Sequence, residues 1–377
     1  MNIVAANNEP LISADSHMCE PPNLWLERID RNFRDRAPRI EANPGNLTGS
    51  FFTCENLPPF RVSGAFAAGK SFDKDFMEAG MEDCLPGGWD PAARLSDMEK
   101  DGIVAEVLYT TCGFVLFWLQ EAAFQVACFR AYNDWLAEFI SYDTKRLKGL
   151  ALVSLFEPDK AAKELERCKK IGLSGAMIWA KPPEDKPYSL RDYDIVWATA
   201  AELGMPLSLH TLTGTGKESQ QDEAAGLAEL YTRMVLRPSE IQHTLLTMIF
   251  GGVFERYPGL KIVSAEGDIG WIPHVLERAD KYARRFGEGY DVKLSLSATE
   301  YFHRQVYACF IDDPFGLKSF GYAGLENNVM WSTDYPHQAS TFPNSRKFVG
   351  EKFAEVSAST RRKIVHDNAA RLYQIEF

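Results

Sequence analysis

The stretch PLISADSHMCEPP, residues 10–22, decides how this chain is interpreted, because an apolar run ends there in alternating polar residues. Side chains alternate between the two faces of a strand, so Asp15 and His17 are expected on the same face. Taken alone, the pair fits either a shared cation or a capping aspartate beside a histidine in the core. Other parts of the sequence are needed to decide between a metal-binding pair and a structural pair.

Seven more apolar runs follow, and a longer segment with helical periodicity separates most of them from the next. Short runs rich in Val, Ile, Leu and Met that alternate with amphipathic helices are typical of buried parallel strands. Together with the first stretch they predict eight strand–helix units and an α/β fold, the closed (β/α)8 TIM barrel. The seven runs reach Thr111, Leu155, Ala180, His210, Asp268, Asp312 and His337.

Two segments interrupt this alternation, and both leave the carboxyl end of a strand. Residues 24–89 follow the first strand and are rich in Pro, Gly, Asn and Phe, while residues 211–258 follow the fifth and predict two helices broken at Pro238. Active sites of TIM barrels lie at this end, so both inserts are expected to form lid or pocket walls. No repeat or charged linker marks a second unit, which predicts a single domain over residues 1–377.

The composition argues against several classes of partner. A formal net charge of -11, without a run of Lys or Arg, argues against binding to nucleic acid. No apolar stretch is long enough to cross a bilayer and the first residues do not resemble a secretory signal, so we expect a cytoplasmic protein without membrane contact. The seven cysteines include no Cys-x-x-Cys pair and are expected to be free thiols.

Two further residues lie where a barrel presents functional side chains. His210 closes the fifth apolar run, and Asp334 belongs to the eighth. With Asp15 and His17 they bring carboxylate and imidazole donors to one mouth, a set that suits Zn, Mn or Fe(II). We therefore predict a divalent metal site on strands one, five and eight, with one or two ions, acting on a small molecule.

Four other residues near this mouth have roles that the sequence leaves open. Glu266, at the end of the sixth strand, fits an additional metal ligand, a bridge to a second ion, a general base on metal-bound water, or a structural salt bridge or helix cap. Glu20, just past the first strand, fits either a ligand of a second ion or a brace for the following loop. His337 fits a partner of a ligand carboxylate, a group that acts on substrate, or a polar loop residue. Lys181, after the fourth strand, is the basic residue best placed to anchor an anion.

Several longer fragments resemble the amidohydrolase superfamily, specifically the amidohydrolase-2 branch, which includes aminocarboxymuconate-semialdehyde and hydroxybenzoate decarboxylases and various hydrolases. The fragments span nearly the whole chain and are ADSHMCEPPNLW, WDPAARLSDMEKDGIVAEVLY, FRAYNDWLAEF, GGVFERYPGLKIVSAEGDIGWIP, WSTDYPHQASTFP and HDNAARLY. The resemblance implies that Asp15, His17, His210 and Asp334 are the metal ligands and that Asp334 also carries a proton in catalysis. It further implies a homo-oligomer, with a dimer favoured.

The chain departs from the family pattern at two positions. Asp15 replaces the His or Glu that commonly precedes x-His, and Glu266 stands where relatives often keep a His. Because decarboxylases of this branch use that His around the substrate, the second departure favours a metal-dependent hydrolase in which Asp334, Glu266 and His337 are catalytic. The expected reaction is attack of a metal-activated water on an acyl bond: an amide, an ester or a thioester such as an acyl-CoA.

A bulky apolar substrate is suggested by insert residues whose alternative role is to fill the core: Phe51, Phe52, Phe60, Phe66, Tyr231 and Met248. Two other functions remain open at this point. The first is a nonoxidative decarboxylase of an aromatic or unsaturated carboxylic acid. The second is a metal-free barrel that serves as a binding or scaffold protein, since a fold does not guarantee activity.

Overall fold

The computed structural model describes residues 9–62, 66, 68–70, 76, 78–214, 226–289 and 293–376. Its strands form one sheet of eight parallel strands and a separate sheet of three antiparallel strands. The strands are β1 (Leu11–His17), β2 (Arg39–Ala42), β3 (Ser50–Thr53), β4 (Phe60–Arg61), β5 (Ile103–Tyr109), β6 (Leu147–Leu152), β7 (Gly175–Ile178), β8 (Leu207–His210), β9 (Ile262–Ala265), β10 (Val306–Phe310) and β11 (Val329–Trp331).

The larger sheet has the strand order β1-β5-β6-β7-β8-β9-β10-β11, which is the order of the chain. Its two ends approach each other, because the backbone N–H of His17 donates to the carbonyl of Tyr335 at 2.6 Å and that of Asp334 to the carbonyl of Asp15 at 3.0 Å. The sheet is thus a nearly closed barrel. The (β/α)8 fold predicted from the sequence is confirmed, with its inserts after the first and fifth barrel strands.

Helices follow the barrel strands on the outside. They are α1 (Leu24–Arg28), α2 (Pro91–Asp101), α3 (Gly113–Leu116), α4 (Ala122–Ile140), α5 (Pro158–Lys170), α6 (Asp194–Leu203), α7 (Gly226–Leu236), α8 (Pro238–Phe250), α9 (Val253–Arg256), α10 (Ile272–Phe286), α11 (Ala298–Gln305), α12 (Pro314–Ser319), α13 (Ser345–Lys352), α14 (Ala358–Arg362) and α15 (Asn368–Tyr373). A short π-helical turn, Lys363–Asp367, joins the last two.

Local sequence signals explain where these helices begin and end. Helix α2 starts with Pro91 behind the N-cap Asp90, whose side chain accepts a hydrogen bond from the Ala92 N–H at 2.9 Å. It stops at Gly102, which has a φ of 80° and so adopts the left-handed conformation that glycine tolerates. Helix α11 begins with a capping box formed by Ser297 and Glu300.

The inserts contain elements of their own. In the first, α1 is followed by the small antiparallel sheet β2–β3–β4, which the sequence did not predict. In the second insert, α7 ends at Leu236 and α8 begins at Pro238. This agrees with the helix break predicted at Pro238. Parts of both inserts, residues 63–65, 67, 71–75, 77 and 215–225, lie outside the described residues, and their predicted contribution to a lid stays a prediction.

The strands β9 and β11 end earlier than the apolar runs suggested. The backbone leaves the extended conformation at Glu266, Asp268 and Asp334, where φ is 48°, 52° and 56°. A positive φ does not continue a strand; β9 stops at Ala265, directly before Glu266, and β11 stops at Trp331, three residues before Asp334. The side chains of Glu266 and Asp334 are therefore presented from turns at the barrel mouth rather than from strand positions.

Within the described residues, no helix combines the length and the apolar character needed to span a membrane. All seven cysteines are free thiols, as expected. The single-domain organisation stays a prediction.

Candidate metal centre

Four side chains from three distant parts of the sequence meet at the carboxyl ends of β1, β8 and β11. They are Asp15, His17, His210 and Asp334, here called the ligand cluster, and each residue is at most 1% exposed. His17 Nε2 lies 3.2 Å from Asp15 Oδ1 and 3.2 Å from Asp334 Oδ1, and His210 Nε2 lies 3.6 Å from Asp15 Oδ2. Ligands bound at roughly 2.0–2.2 Å to one ion lie about 3–3.5 Å apart, so these spacings fit a shared cation.

Each member of the ligand cluster turns one atom without a hydrogen-bond partner toward this common centre. Among the described residues, Asp15 Oδ1, His17 Nε2, His210 Nε2 and Asp334 Oδ1 are buried and make no hydrogen bond. Leaving a buried polar atom unpaired costs about 1–3 kcal/mol, and four at one point call for a common partner. A metal ion satisfies all four.

Hydrogen bonds on the far side of both imidazoles prepare them for this role. His17 Nδ1 lies 2.9 Å from the Thr110 carbonyl oxygen, and His210 Nδ1 lies 2.8 Å from the Thr211 carbonyl oxygen. A carbonyl can only accept, so each Nδ1 carries the proton and each Nε2 keeps its lone pair. This is the arrangement that orients histidine ligands in metalloproteins.

The electrostatics of the cluster also favour a positive charge at its centre. Burial by itself would raise the pKa of Asp15, but His210 and His17 hold it below its ordinary value. Burial would lower the pKa of His17, but Asp15 and Asp334 hold it well above its ordinary value. The two carboxylates thus favour a positive charge next to His17 Nε2, and a divalent cation bound there would supply that charge.

His337 joins the cluster from the turn after β11. Its Nδ1 lies 2.9 Å from Asp334 Oδ1, its Nε2 lies 2.9 Å from Thr111 Oγ1, and its ring stacks on His17 with centroids 3.9 Å apart. His17, Asp334 and His337 also form a second group with metal-compatible spacing. His337 is therefore a direct partner of a candidate ligand carboxylate.

Glu266 lies at the edge of the cluster. Its Oε2 is 3.6 Å from His210 Nε2 and accepts a hydrogen bond from Thr211 Oγ1 at 2.9 Å. Its side chain is 34% exposed, unlike the fully buried ligand cluster. It lies next to one candidate ligand and outside the groups whose atoms lie mutually close, so it borders the site from the solvent side.

Glu20 is held away from the cluster. Its carboxylate accepts hydrogen bonds from the backbone N–H groups of Thr111 and Cys112, both at 3.0 Å, and also from the Thr110 hydroxyl. These donors belong to the turn that follows β5 and precedes α3. Of the two roles left open for Glu20, the geometry corresponds to the loop brace and leaves its oxygens engaged by the main chain.

The aromatic insert residues divide between core and surface. Phe52 packs against Trp25 with ring centroids 5.0 Å apart, and Met248 is fully buried. Tyr231 is 65% exposed. Only Phe66 of this set has a described ring contact with the site, 6.2 Å from the His337 ring.

A second buried polar cluster, which was not predicted from the sequence, lies next to the first on β1. It consists of Ser13, Ser16, Arg94, Glu106 and Thr333 and is called here the brace cluster. Arg94 Nε donates to Glu106 Oε2 at 2.5 Å, and Arg94 Nη1 donates to the His17 carbonyl at 2.9 Å. Ser16 Oγ donates to Ser13 Oγ at 2.8 Å and lies 3.1 Å from Thr333 Oγ1. These contacts fix the backbone of β1 from which the ligands project.

Comparisons with known proteins agree with this architecture. A family model described as "Amidohydrolase" matches residues 58–375. A curated relative, the 2-amino-3-carboxymuconate-6-semialdehyde decarboxylase of Dictyostelium discoideum, is 26% identical over 288 residues, which cover 74% of this chain and 76% of the relative. The gamma-resorcylate decarboxylase of a Polaromonas species is 26% identical over 260 residues, covering 65% of this chain and 76% of the relative.

Solved structures show the same fold. An amidohydrolase from Mycobacterium avium subsp. paratuberculosis matches with a TM-score of 0.78 at 21% identity, covering 97% of this chain and 99% of that one. A dihydroxybenzoic acid decarboxylase from Polaromonas, with bound manganese and the inhibitor 2-nitroresorcinol, matches with a TM-score of 0.66 at 18% identity, covering 97% of both chains.

These findings correct the function expected from the sequence. The expectation of a hydrolase that cleaves an acyl bond of a bulky apolar substrate is wrong, because the curated relatives named above are decarboxylases. It rested on Glu266 standing in place of a histidine. This single position does not decide the reaction class, because Glu266 borders the ligand cluster without belonging to its buried centre.

Proposed function

The chain belongs to the amidohydrolase family whose model matches residues 58–375, and on this basis we propose that it is a metal-dependent, nonoxidative decarboxylase of an aromatic or unsaturated carboxylic acid. The observation that carries the proposal is the convergence of the four buried, unpartnered atoms of the ligand cluster. The named activities of the curated relatives supply the reaction class. A metal-free scaffold is disfavoured, because it would leave those four atoms without compensation.

Asp15, His17, His210 and Asp334 would hold one divalent ion. Manganese is the metal named with a related structure, and Zn or Fe(II) also accepts this mixed carboxylate and imidazole set. When bound, the ion supplies a Lewis acid that holds and polarises oxygen atoms of the substrate. One ion is favoured over two, because the Glu20 oxygens are already engaged by the turn after β5.

The pair formed by Asp334 and His337 is suited to handle the proton that the reaction requires. In nonoxidative decarboxylation the bond between the ring carbon and the carboxylate breaks, its electron pair stays on the carbon, and CO2 leaves. A proton must then be delivered to that carbon. Asp334 Oδ1 lies 2.9 Å from His337 Nδ1, so the two side chains are placed to pass a proton at the buried mouth.

Thr111 and Thr211 complete the arrangement from the adjoining turns. The Thr111 hydroxyl lies 2.9 Å from His337 Nε2 and orients that ring, while the Thr211 hydroxyl donates to Glu266 Oε2. Glu266 would therefore be fixed as an anionic wall at the entrance. In this position it limits where a negatively charged substrate can sit, which makes it a positioning residue rather than a ligand.

The experiment that tests this function is decarboxylation in D2O. Protein reconstituted with Mn²⁺ is incubated with 2,6-dihydroxybenzoate, 5-carboxyvanillate and 2-amino-3-carboxymuconate-6-semialdehyde, while CO2 release and product are followed by mass spectrometry and NMR. We expect CO2 release from at least one acid and one deuterium at the carbon that lost its carboxylate. Apo protein should be inactive.

The matched variant is Asp334→Asn, which keeps the shape of the side chain but removes a carboxylate that would both bind the ion and carry the proton, so its Mn²⁺ content is measured alongside its activity. The variant should lose activity by about 10²–10⁴-fold, the usual contribution of a positioned acid or base. A wild-type protein that binds Mn²⁺ but releases CO2 from none of the three acids would contradict the proposed function.

A further inference from the structure

We propose that Glu20 is a positioning residue that orients two imidazoles of the candidate metal centre, His17 and His337, through one turn of the main chain. The inference rests on the metal-dependent function proposed above. The turn comprises residues 110–114, which directly follow β5, and is called here the β5 turn. Glu20 is fully buried, and burying a carboxylate is costly unless hydrogen-bond donors surround it. Its surroundings therefore indicate its role.

The Glu20 carboxylate is surrounded by donors of the β5 turn. Its Oε1 accepts from the N–H groups of Thr111 and Gly113, at 3.0 and 3.4 Å, and also from the Thr110 hydroxyl. Its Oε2 accepts from the Cys112 N–H at 3.0 Å. The Thr110 oxygen in turn accepts from the Gly113 N–H at 2.9 Å, which leaves the hydroxyl hydrogen for Glu20. One side chain therefore binds four consecutive residues of the turn.

The β5 turn is tightly packed around this contact. A Cβ at Gly113 would overlap Thr110 Oγ1 and lie 2.9 Å from Leu152 Cδ1, so only glycine fits there without a shift of its neighbours. Successive N–H groups that point at one anion form a concave site that holds the anion in place. Here the anion is a side chain of the protein itself. The conformation of the turn therefore depends on the Glu20 carboxylate.

Adjacent residues of the β5 turn orient two imidazoles that stack on each other. The Thr110 carbonyl oxygen lies 2.9 Å from His17 Nδ1, and the Thr111 hydroxyl lies 2.9 Å from His337 Nε2. The two rings stack with centroids 3.9 Å apart. A shift of the turn would misalign both hydrogen bonds at once, and hydrogen bonds weaken steeply with misalignment. Glu20 therefore acts on a candidate ligand and on the partner of Asp334 through the same stretch of backbone.

The third imidazole, that of His210, is coupled to the β5 turn less tightly. Phe114 stacks on the His210 ring with centroids 4.5 Å apart, and a ring contact is less directional than a hydrogen bond. The Nδ1 of His210 is oriented from elsewhere, by the Thr211 carbonyl at 2.8 Å. Loss of the Glu20 carboxylate should therefore weaken metal binding through His17 without abolishing it.

The first test is the Mn²⁺ affinity of Glu20→Gln, measured by isothermal titration calorimetry. The carboxamide has nearly the same size, but its NH2 group would face an N–H donor of the β5 turn where the wild type has an acceptor. We expect the Mn²⁺ affinity to fall by about 10- to 100-fold, the usual effect of losing a group that orients a histidine ligand. If Glu20 only stabilised the fold, the variant would unfold at a lower urea concentration and bind Mn²⁺ as tightly as the wild type, and this result would overturn the proposal.

The matched control is Asp280→Asn on the outside of the barrel. The Asp280 carboxylate braces the start of α11 in the same way, because it accepts from the N–H groups of Ala298 and Thr299 at 2.7 and 3.3 Å and from the Thr299 hydroxyl at 2.6 Å. We expect this variant to lose stability in urea and to keep the Mn²⁺ affinity of the wild type. An equal fall of the Mn²⁺ affinity in Asp280→Asn and Glu20→Gln would overturn a specific role of Glu20.

The second test concerns the other imidazole. Thr111→Val removes the hydroxyl that contacts His337 and leaves the contact of His17 in place. At saturating Mn²⁺ it should lower kcat by about 10-fold and keep the Mn²⁺ affinity. In the Glu20→Gln background the same substitution should lower kcat by much less, because two changes that break one contact are not additive. Fully additive losses would show that Glu20 does not act on His337 through the β5 turn.

Failure of the proposed function and failure of this inference give different results. If the wild type binds Mn²⁺ but releases CO2 from none of the acids tested, the proposed function fails, while the Mn²⁺ affinities still decide the role of Glu20 at His17. If Glu20→Gln does not fold, Thr110→Val takes its place, since it removes one donor to Glu20 and keeps the carbonyl that contacts His17. It should weaken Mn²⁺ binding severalfold, and an unchanged affinity would overturn the proposal.

Discussion

Two buried polar clusters share the first strand of this barrel, and they differ in one respect. In the brace cluster, side chains of Ser13, Ser16 and Glu106 find partners within hydrogen-bond distance, and among its described atoms Arg94 Nη2 is the one buried atom left without a partner. In the ligand cluster, each residue keeps one buried atom that no described group satisfies. Asp15, Ser16 and His17 are consecutive, and side chains alternate between the two faces of a strand. Asp15 and His17 therefore belong to the ligand cluster, while Ser16 between them belongs to the brace cluster.

The difference shows how a buried structural site can be told from a buried functional one. Both clusters are removed from water, and both contain ionisable groups. Polar groups that serve the fold are paired inside the protein, because an unpaired one costs about 1–3 kcal/mol. Unpaired atoms that converge on one point are retained for a partner from outside the chain. Substitutions in the two clusters should therefore have separable consequences.

The largest effect is expected from His210→Ala in the ligand cluster. Loss of a ligand should abolish tight metal binding and lower the decarboxylation rate on the order of 10³-fold, since Lewis-acid stabilisation is worth several kcal/mol. Metal content by mass spectrometry and the rise in melting temperature on adding Mn²⁺ are the measurements. His303→Ala, at an exposed histidine that pairs with the Ala323 carbonyl, is the control and should keep both. Normal metal content in His210→Ala would refute the assignment of His210 as a ligand.

Arg94→Met in the brace cluster should act on stability instead. It leaves the Glu106 carboxylate buried without its ion pair, which costs about 3–5 kcal/mol. Urea unfolding of the metal-loaded protein measures this loss, while the folded fraction should still bind metal. The double variant Arg94→Met/Glu106→Leu should recover much of the loss because no charge remains unpaired. A double variant less stable than the single one would show that the ion pair itself stabilises the strand.

The smallest effect is expected from Ser16→Ala. Ser16 lies in the sequence between the candidate metal ligands Asp15 and His17, so this variant tests most directly whether the two clusters are independent. Its hydroxyl lies 3.2 Å from Glu106 Oε1 and 2.8 Å from Ser13 Oγ, so its loss should cost about 1–3 kcal/mol of unfolding free energy. Metal stoichiometry and the affinity for Mn²⁺ should equal those of the wild type. If Ser16→Ala released metal as readily as His17→Ala, the two clusters would not be independent.

Much of the fold could be predicted because its signals are local. Apolar runs with intervening helical periodicity identify all eight barrel strands, and Pro238 marks the break between α7 and α8. The apolar runs predict ends of β9 and β11 that are too far along the chain. The pattern of apolar residues does not indicate the positive φ values at Glu266 and Asp334. The small sheet β2–β4 was missed because its short strands have no clear alternation.

The sequence by itself determined the barrel and the four residues of the ligand cluster, because strand ends and polar residue types can be read along the chain. Tertiary structure alone decided which of their atoms stay unpartnered. His17 obtains its orientation from the Thr110 carbonyl, 93 positions away, and Glu20 is engaged by the same turn. Hydrogen bonds between distant segments produce no periodic pattern in the sequence, because the partners come together only when the barrel closes.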